Sequence, residues 1–365
     1  MADLATAVTV LDACGRAGVP SLLLSKPGMG KSSVVRALAA AEQVPCKTVL
    51  GSLREPADFA GLPVVTADGV KLEAPTWARE LHAAGCGYVF LDELTTSAPT
   101  VQAAMLAVAL DRVVGDLALP DRVRIVAGAN PPDSAAGGYE LEPPLANRFC
   151  HVMFAPSVDD WLDGMTAGWV SPPASRAVST DLQRQAAARG AVIGFVRSRP
   201  DLLDAFPVSV AQRGGAWPSR RTWAMVAGVL PYLRDSDTAA VHAVVLGLVG
   251  EGAGVEFLSW RQMMDLPDPV SVIEDPTCVD WSSRPDRVWA VLAGVTAWAA
   301  SRGTVEAWRS AWGPLVAAAE AGAPDVAGAA ARTLAQTRPA KASVPAAARR
   351  FAPMLVAAGL TKDAA

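Results

Sequence analysis

Apolar residues fall in short unbroken runs along the first part of the chain: Leu22 to Leu24, Thr48 to Leu50, Tyr88 to Leu91, Ile125 to Ala127 and His151 to Phe154. Runs that are apolar throughout, rather than alternating with polar residues, suit strands covered on both faces, as in a parallel sheet. Helical patterns lie between several of them, including Ser33 to Ala41 and Val101 to Leu110, so the pattern predicts α/β alternation. Two excursions interrupt it. Leu62 to Val65 and Val70 to Leu72 are joined by Thr66-Ala67-Asp68-Gly69, and Asp-Gly between β-prone runs predicts a hairpin. A second candidate hairpin spans Val113 to Leu119.

Beyond about Pro156 the periodicity changes. Ser171-Pro172-Pro173-Ala174-Ser175 reads as a loop, and an all-α region is expected from near Asp181. Ten of the eleven tryptophans lie after residue 160; most of them read as core anchors between helices, with an interaction surface as the alternative. The stretch from Trp312 to Leu360 is rich in alanine and punctuated by proline, and predicts short stacked helices. The most apolar stretch, Ala239 to Gly250, is well short of the roughly 20 residues that span a bilayer, so no membrane insertion is expected.

Composition narrows the functional classes. In 365 residues, 51% hydrophobic, the chain has ample material for a core. The 36 acidic and 32 basic residues leave a net charge of −4, which argues against broad electrostatic capture of nucleic acid or an anionic membrane. Cys14, Cys46, Cys86, Cys150 and Cys278 are scattered singly and read as core residues in a reducing compartment. His82, His151 and His242 form no metal-binding spacing. The start, MADLATAVTV, lacks a basic segment followed by a long apolar one, so a cytoplasmic protein is expected.

Candidate chemistry sits at the ends of the predicted strands. Ser21 to Val34, SLLLSKPGMGKSSV, joins a buried strand to a helix through a glycine-punctuated loop. Unpaired N–H groups and the helix dipole favour an anion there, and Pro27, Gly28, Met29, Gly30, Lys31, Ser32 and Ser33 would wrap phosphates. Lys31 can reach the outer phosphates, and the Ser32 hydroxyl can ligate Mg²⁺. The commoner loop has glycine where this chain has Ser25. Tyr88 to Glu93 is an apolar strand ending in two carboxylates; Asp92 would face Mg²⁺ and Glu93 would polarise the attacking water. A third strand ends at Asn130, before Pro131 and Pro132, where its amide would position that water.

SKPGMGKSS, YVFLDE, AGANPP and PPLANRF, in this order and spacing, resemble the ATPase core of the AAA+ superfamily, and in particular its MoxR-like branch. The resemblance covers roughly residues 5 to 235. Glu55 to Pro63 resembles that branch's insert in the second core helix, and 113 to 119 its pre-sensor hairpin. The resemblance implies Lys31 and Ser32 as the Walker A pair, Asp92 and Glu93 as Walker B, and Asn130 as sensor 1. It implies Arg148 as an arginine finger that reaches the γ-phosphate held by a neighbouring subunit. Pro218-Ser219-Arg220-Arg221-Thr222-Trp223 resembles sensor 2, with Arg221 favoured over Arg220. Neighbouring helical residues point about 100° apart, so only one can face a nucleotide.

The expected architecture is a P-loop NTPase αβα sandwich with a parallel sheet, then an all-α lid and a helical C-terminal extension. The expected divisions are a core over 1–156, a linker over 157–180, a lid over 181–255 and an extension over 256–365. The expected function is hydrolysis of ATP with Mg²⁺ at the subunit interfaces of a homo-oligomeric ring, a hexamer, that remodels a protein client. The resemblance implies a partner with a von Willebrand A-type domain. The alternatives are a nucleic-acid motor, a nucleotide-gated scaffold with little turnover and, less well matched, a small-molecule kinase. The motor lacks basic inserts, since Lys71, Arg112 and Arg122 are the chief cations at the two hairpins.

Overall fold

The computed structural model describes the chain except for residues 68, 132–138, 168–171, 341 and 358–365. Asp68 of the predicted hairpin turn and Pro132 of the third strand's ending therefore lie outside the described residues. The chain forms two compact units, Met1–Val178 with Asp204–Val255, and Ser179–Leu203 with Glu256–Ala365.

The first unit begins with α1 (Leu4–Arg16), β1 (Ser21–Leu24), α2 (Lys31–Ala41) and β2 (Cys46–Leu50). It continues through α3 (Ala57–Ala60), the hairpin β3 (Leu62–Thr66) and β4 (Gly69–Glu73), α4 (Thr76–Ala84), β5 (Cys86–Asp92) and α5 (Pro99–Asp111). A second hairpin, β6 (Val113–Val114) and β7 (Leu117–Ala118), precedes β8 (Arg122–Ala129), α6 (Pro143–Ala146), β9 (Cys150–Met153) and α7 (Val158–Ala167). Five strands form one parallel sheet in the order β2-β5-β8-β1-β9. The expected P-loop αβα core is therefore present, and the apolar runs are its strands: Leu22, Leu23, Val89, Phe90, Leu91, Ile125 and Ala127 are all buried. Both predicted hairpins form, with Thr66 opposite Gly69 and Val114 opposite Leu117.

This topology fixes where a ligand can sit. From β1 the chain crosses to the far edge at β2, while β9 lies on β1's other side. The carboxyl ends of β1, β5 and β8 therefore open on one crevice beside the point where strand order reverses, the usual ligand position in open α/β sheets.

The remaining helices are α8 (Leu182–Ser198), α9 (Arg220–Val229), α10 (Thr238–Met264), α11 (Pro269–Glu274), α12 (Pro285–Arg302), α13 (Val305–Ser310), α14 (Trp312–Glu320), α15 (Pro324–Gln336) and α16 (Ala352–Ala357). The stretch expected as one helical lid, 181–255, is divided between the units. Its first helix, α8, belongs to the second unit because Gly190 and Gly194 let its backbone lie on α12: a Cβ at Gly194 would stand 2.5 Å from the Ala290 Cβ. The second unit's core holds Trp308 and Trp312, edge to face at 5.5 Å, and the Trp308 indole donates to the Leu334 carbonyl at 2.7 Å.

Two elements depart from the sequence expectation. α7 lies inside the stretch expected as a linker, capped reciprocally by Ser157 and Asp160, and none of its residues is buried. α10 is 27 residues long and apolar enough to cross a membrane by length and composition; half of its apolar window is buried and Gly250 breaks it at φ 77°, ψ 170°. The short apolar stretch read from the sequence is the part before that break.

Candidate functional site

The loop after β1 takes its shape from two glycines. Gly28 and Gly30 have φ of 80° and 87°, a region that costs any side-chain-bearing residue strain. No heavy atom would lie within 4 Å of a Cβ at either, so backbone conformation rather than crowding selects glycine there. Gly30 is the N-cap of α2 and carries no side chain to occupy the helix's free N–H groups. Ser25, by contrast, is not among the residues with positive φ. Its buried hydroxyl donates to the Lys26 carbonyl at 3.2 Å and accepts from Lys31 Nζ at 3.2 Å. The loop thus turns without a first glycine, and the serine there supplies a contact to the lysine.

Lys31 is buried at the base of the loop, and its ammonium donates to the Ser25 carbonyl and to Asn130 Oδ1, each at 2.9 Å. Burial pulls its pKa below the usual lysine value, and the nearby Asp92 carboxylate opposes that shift. A phosphate oxygen entering the loop would meet a cation already desolvated and aimed by two neighbouring strands.

β5 and β8 deliver the acidic and amide groups. Asp92, the last residue of β5, accepts from the Ser32 hydroxyl at 2.7 Å through Oδ2 and from the Glu93 N–H at 2.9 Å through Oδ1. The neighbouring Gly128 makes room for it: a Cβ at that position would come within 2.7 Å of Phe90 Cζ and 2.8 Å of Asp92 Oδ1. Glu93 has φ 60° and ψ 38°, a left-handed conformation uncommon outside glycine and asparagine and one that collects at functional sites. Its carbonyl accepts from the Ser97 hydroxyl at 2.9 Å and the Thr96 hydroxyl at 3.0 Å, which hold the strained turn. Its carboxylate accepts a hydrogen bond from Ser52, just after β2.

Among the described residues no group of three or more His, Cys, Asp or Glu could hold a metal by itself. The Ser32 and Asp92 oxygens, already touching, instead offer two hard ligands of the kind Mg²⁺ accepts when phosphate and water complete its shell. The donor set fits Mg²⁺.

The sequence-predicted residues thus divide into two groups. Lys31 with Asn130 and Ser32 with Asp92 form two hydrogen-bonded pairs set side by side by the Lys31–Ser32 peptide, with the Asp92 charge acting on Lys31, Glu93 next to Asp92, and Pro27, Gly28, Met29, Gly30 and Ser33 in or just after the loop. Arg148 stands elsewhere. It precedes Cys150, which pairs with Ser21 at the start of β1, whereas the phosphate loop follows Leu24 at the other end. The four paired residues between correspond to about 13 Å of strand. Arg148 donates to the Pro144 carbonyl, and its buried Nε has no hydrogen-bond partner among the described residues. Burial, and after it the charge of Arg221, lower its pKa, and the Asp111 carboxylate opposes that shift.

Next to Arg148 is Asn147, whose side chain donates to the Trp217 carbonyl at 3.1 Å and accepts from Ser219 Oγ at 2.8 Å. Ser219 then caps α9 reciprocally with Thr222. Arg220 is engaged by Asp204 at 2.8 Å, while Arg221 forms no ion pair among the described residues. Sequence reasoning missed Ser52 and Gly128, which carry no motif and act through strand neighbours.

No family model matches the chain, and no curated protein matches it. Among solved structures the chain is similar to a "putative ATPase" from Cytophaga hutchinsonii, with 15% identity, coverage of 70% of this chain and 84% of that one, and a TM-score of 0.40.

Proposed function

We propose that this chain is an ATP hydrolase of the MoxR-like AAA+ type, acting as a ring in which each site is completed by a neighbouring copy. The observation that carries the proposal is the pair of contacts Lys31–Asn130 and Ser32–Asp92, which join the start of the helix after β1 to the ends of the adjacent strands β8 and β5. A strand-turn-helix of purely structural use has no need to bury a lysine against an amide and to set a hydroxyl on a carboxylate beside it.

The residues divide the work of hydrolysis. The loop N–H groups and Lys31 hold the β- and γ-phosphates and offset their charge. Ser32 and Asp92 would hold Mg²⁺, which would supply Lewis-acid stabilisation of the charge that develops on the phosphates. Asn130 orients the attacking water, and Glu93 takes its proton as oxygen bonds to the γ-phosphorus and ADP departs. Arg148, too far along the strands to serve its own loop, would serve the loop of the next copy, together with Arg221.

The exposed β3–β4 hairpin supports a protein client. Leu62, Val64, Val65, Val70 and Leu72 are exposed there, with Lys71 between them, a surface for apolar contact rather than for a phosphate backbone. A hexamer and a partner with a von Willebrand A-type domain remain part of the proposal through the sequence resemblance alone.

The test is nucleotide binding. Lys31→Ala is expected to weaken binding of a fluorescent ATP analogue at least about tenfold, as loss of a desolvated charge contact requires. Unchanged affinity would remove Lys31, and the phosphate cradle with it, from the account.

A further inference from the structure

Ser25 stands where the commoner phosphate loop has glycine, so its hydroxyl is a group that loop does without. The residue is 6% exposed, and its N–H donates to the Ala129 carbonyl at 3.4 Å, which ties it to the end of β8. A hydroxyl has one proton to give. Ser25 gives it to the Lys26 carbonyl at 3.2 Å, so toward Lys31 Nζ, also at 3.2 Å, the same oxygen can only accept. The bond to Lys26 thus fixes which way the lone pairs of Ser25 point.

Lys31 has a full set of partners within the protein. Its ammonium carries three protons, and among the described residues four oxygens compete for them: the Ser25 carbonyl and Asn130 Oδ1 at 2.9 Å, Ser25 Oγ at 3.2 Å and the Lys26 carbonyl at 3.4 Å. A phosphate oxygen can gain a proton from this ammonium only when one of the nearer partners lets go. The Ser25 carbonyl is main chain at the start of the loop, and Ser25 Oγ is held by its own bond to Lys26. Asn130 differs, since it reaches the ammonium with a side chain from the end of another strand. Its main chain is held separately, the carbonyl accepting from the Thr95 hydroxyl at 3.5 Å, so the amide can turn while the loop keeps its shape. That amide is also the group proposed to orient the attacking water, which gives it somewhere to turn.

We infer that the Ser25 hydroxyl is a positioning residue for Lys31, holding the ammonium in place while a phosphate takes over the bond that Asn130 gives up. The inference rests on the reading of this loop as a phosphate cradle. With serine the lysine exchanges one partner and keeps three; with glycine it would keep only two carbonyls, one of them at 3.4 Å. The hydroxyl therefore matters more in the nucleotide complex than in the free chain, where Asn130 shares the load. A contact that is stronger in one of two states shifts the equilibrium toward that state, and here the shift reads as affinity.

Titration of a fluorescent, non-hydrolysable ATP analogue with Mg²⁺ into the full chain and its variants tests this. Ser25→Ala and Ser25→Gly should each weaken binding about fivefold, as loss of a hydrogen bond to a charged group requires, while Ser25→Thr, which keeps the hydroxyl, should stay within about twofold of wild type. A double-mutant cycle supplies a readout that a damaged loop would not move. In Asn130→Ala the free chain already leans on Ser25 as much as the complex does, so adding Ser25→Ala should cost less than about twofold. A serine that only shapes the loop would cost the same factor in both backgrounds. Wild-type affinity in Ser25→Gly, a loss in Ser25→Thr equal to that in Ser25→Ala, or equal Ser25→Ala penalties with and without the Asn130 amide would each overturn the inference. Misfolding of Ser25→Ala would weaken binding alike in both backgrounds and counts against it in the same way. Unchanged affinity in Lys31→Ala is a different failure: it removes the cradle itself, whereas a loss in Lys31→Ala with none in Ser25→Ala removes the role of the hydroxyl alone.

Discussion

Asp92 can stand at the end of β5 only because residue 128, on the neighbouring strand, has no side chain. Gly128→Ala should push the carboxylate away from Ser32 and lower Mg²⁺-dependent hydrolysis by about 10- to 100-fold, and its crowding of the buried Phe90 ring should also lower stability by about 1–3 kcal/mol. A steady-state rate equal to wild type would mean that Asp92 does not need its observed position. The placement of Lys31, Ser32, Asp92 and Asn130 beside one another was legible in the sequence because each lies at or just after the end of an apolar strand run. Gly128 and Ser52 were not legible, since their roles arise between strands that are adjacent in the sheet and distant in sequence. Ser25 was legible as a departure, and its meaning required the structure. Its backbone stays out of the left-handed region, and its hydroxyl reaches Lys31.

Among elements, α1 shows how the sheet is tied to what lies over it. Asp12 is buried on this helix, 3.2 Å from Arg124 of β8, and its carboxylate accepts from Arg16 at 2.8 Å and Ser175 at 2.7 Å. Burial by itself would raise its pKa; the hydrogen bonds from Arg16 and Ser175 and the charge of Arg124 outweigh burial and hold it below the usual carboxylate range. A carboxyl depressed by folding adds stability above its unfolded pKa of about 3.9, and that stability is lost as pH falls through the lower, folded value. Asp12→Ala should therefore cost about 2–3 kcal/mol in urea unfolding at pH 7, and the deficit should narrow as the pH falls below about 3. A deficit of the same size in strong acid would show that lost packing, not the ion network, is responsible. This tie could not be read from the sequence, where Asp12 is one polar residue in an apolar helix. The strands and both hairpins were legible because each has a strong local signal. The division of 181–255 was not, because the glycines of α8 gain meaning only against Ala290, about a hundred residues away.

For the molecule as a whole, the parts fit a motor better than a switch. A scaffold that only senses nucleotide has no use for a strained Glu93 beside Asp92, nor for arginines set at the far end of the strands from their own loop. With a net charge of −4 and an apolar hairpin exposed, the same chain is poorly suited to track a phosphate backbone. What the whole molecule must do, on this account, is turn over ATP, with Glu93 as the base. The most direct measurement is steady-state phosphate release from Mg²⁺-ATP by the purified chain and by its Glu93→Gln variant, with ATP binding followed in parallel. The account predicts that wild type hydrolyses ATP, at a rate per chain that rises with protein concentration as copies meet. It predicts that Glu93→Gln binds ATP with similar affinity and loses at least about 100-fold in rate, as removal of a general base requires. Hydrolysis by Glu93→Gln at the wild-type rate would contradict it.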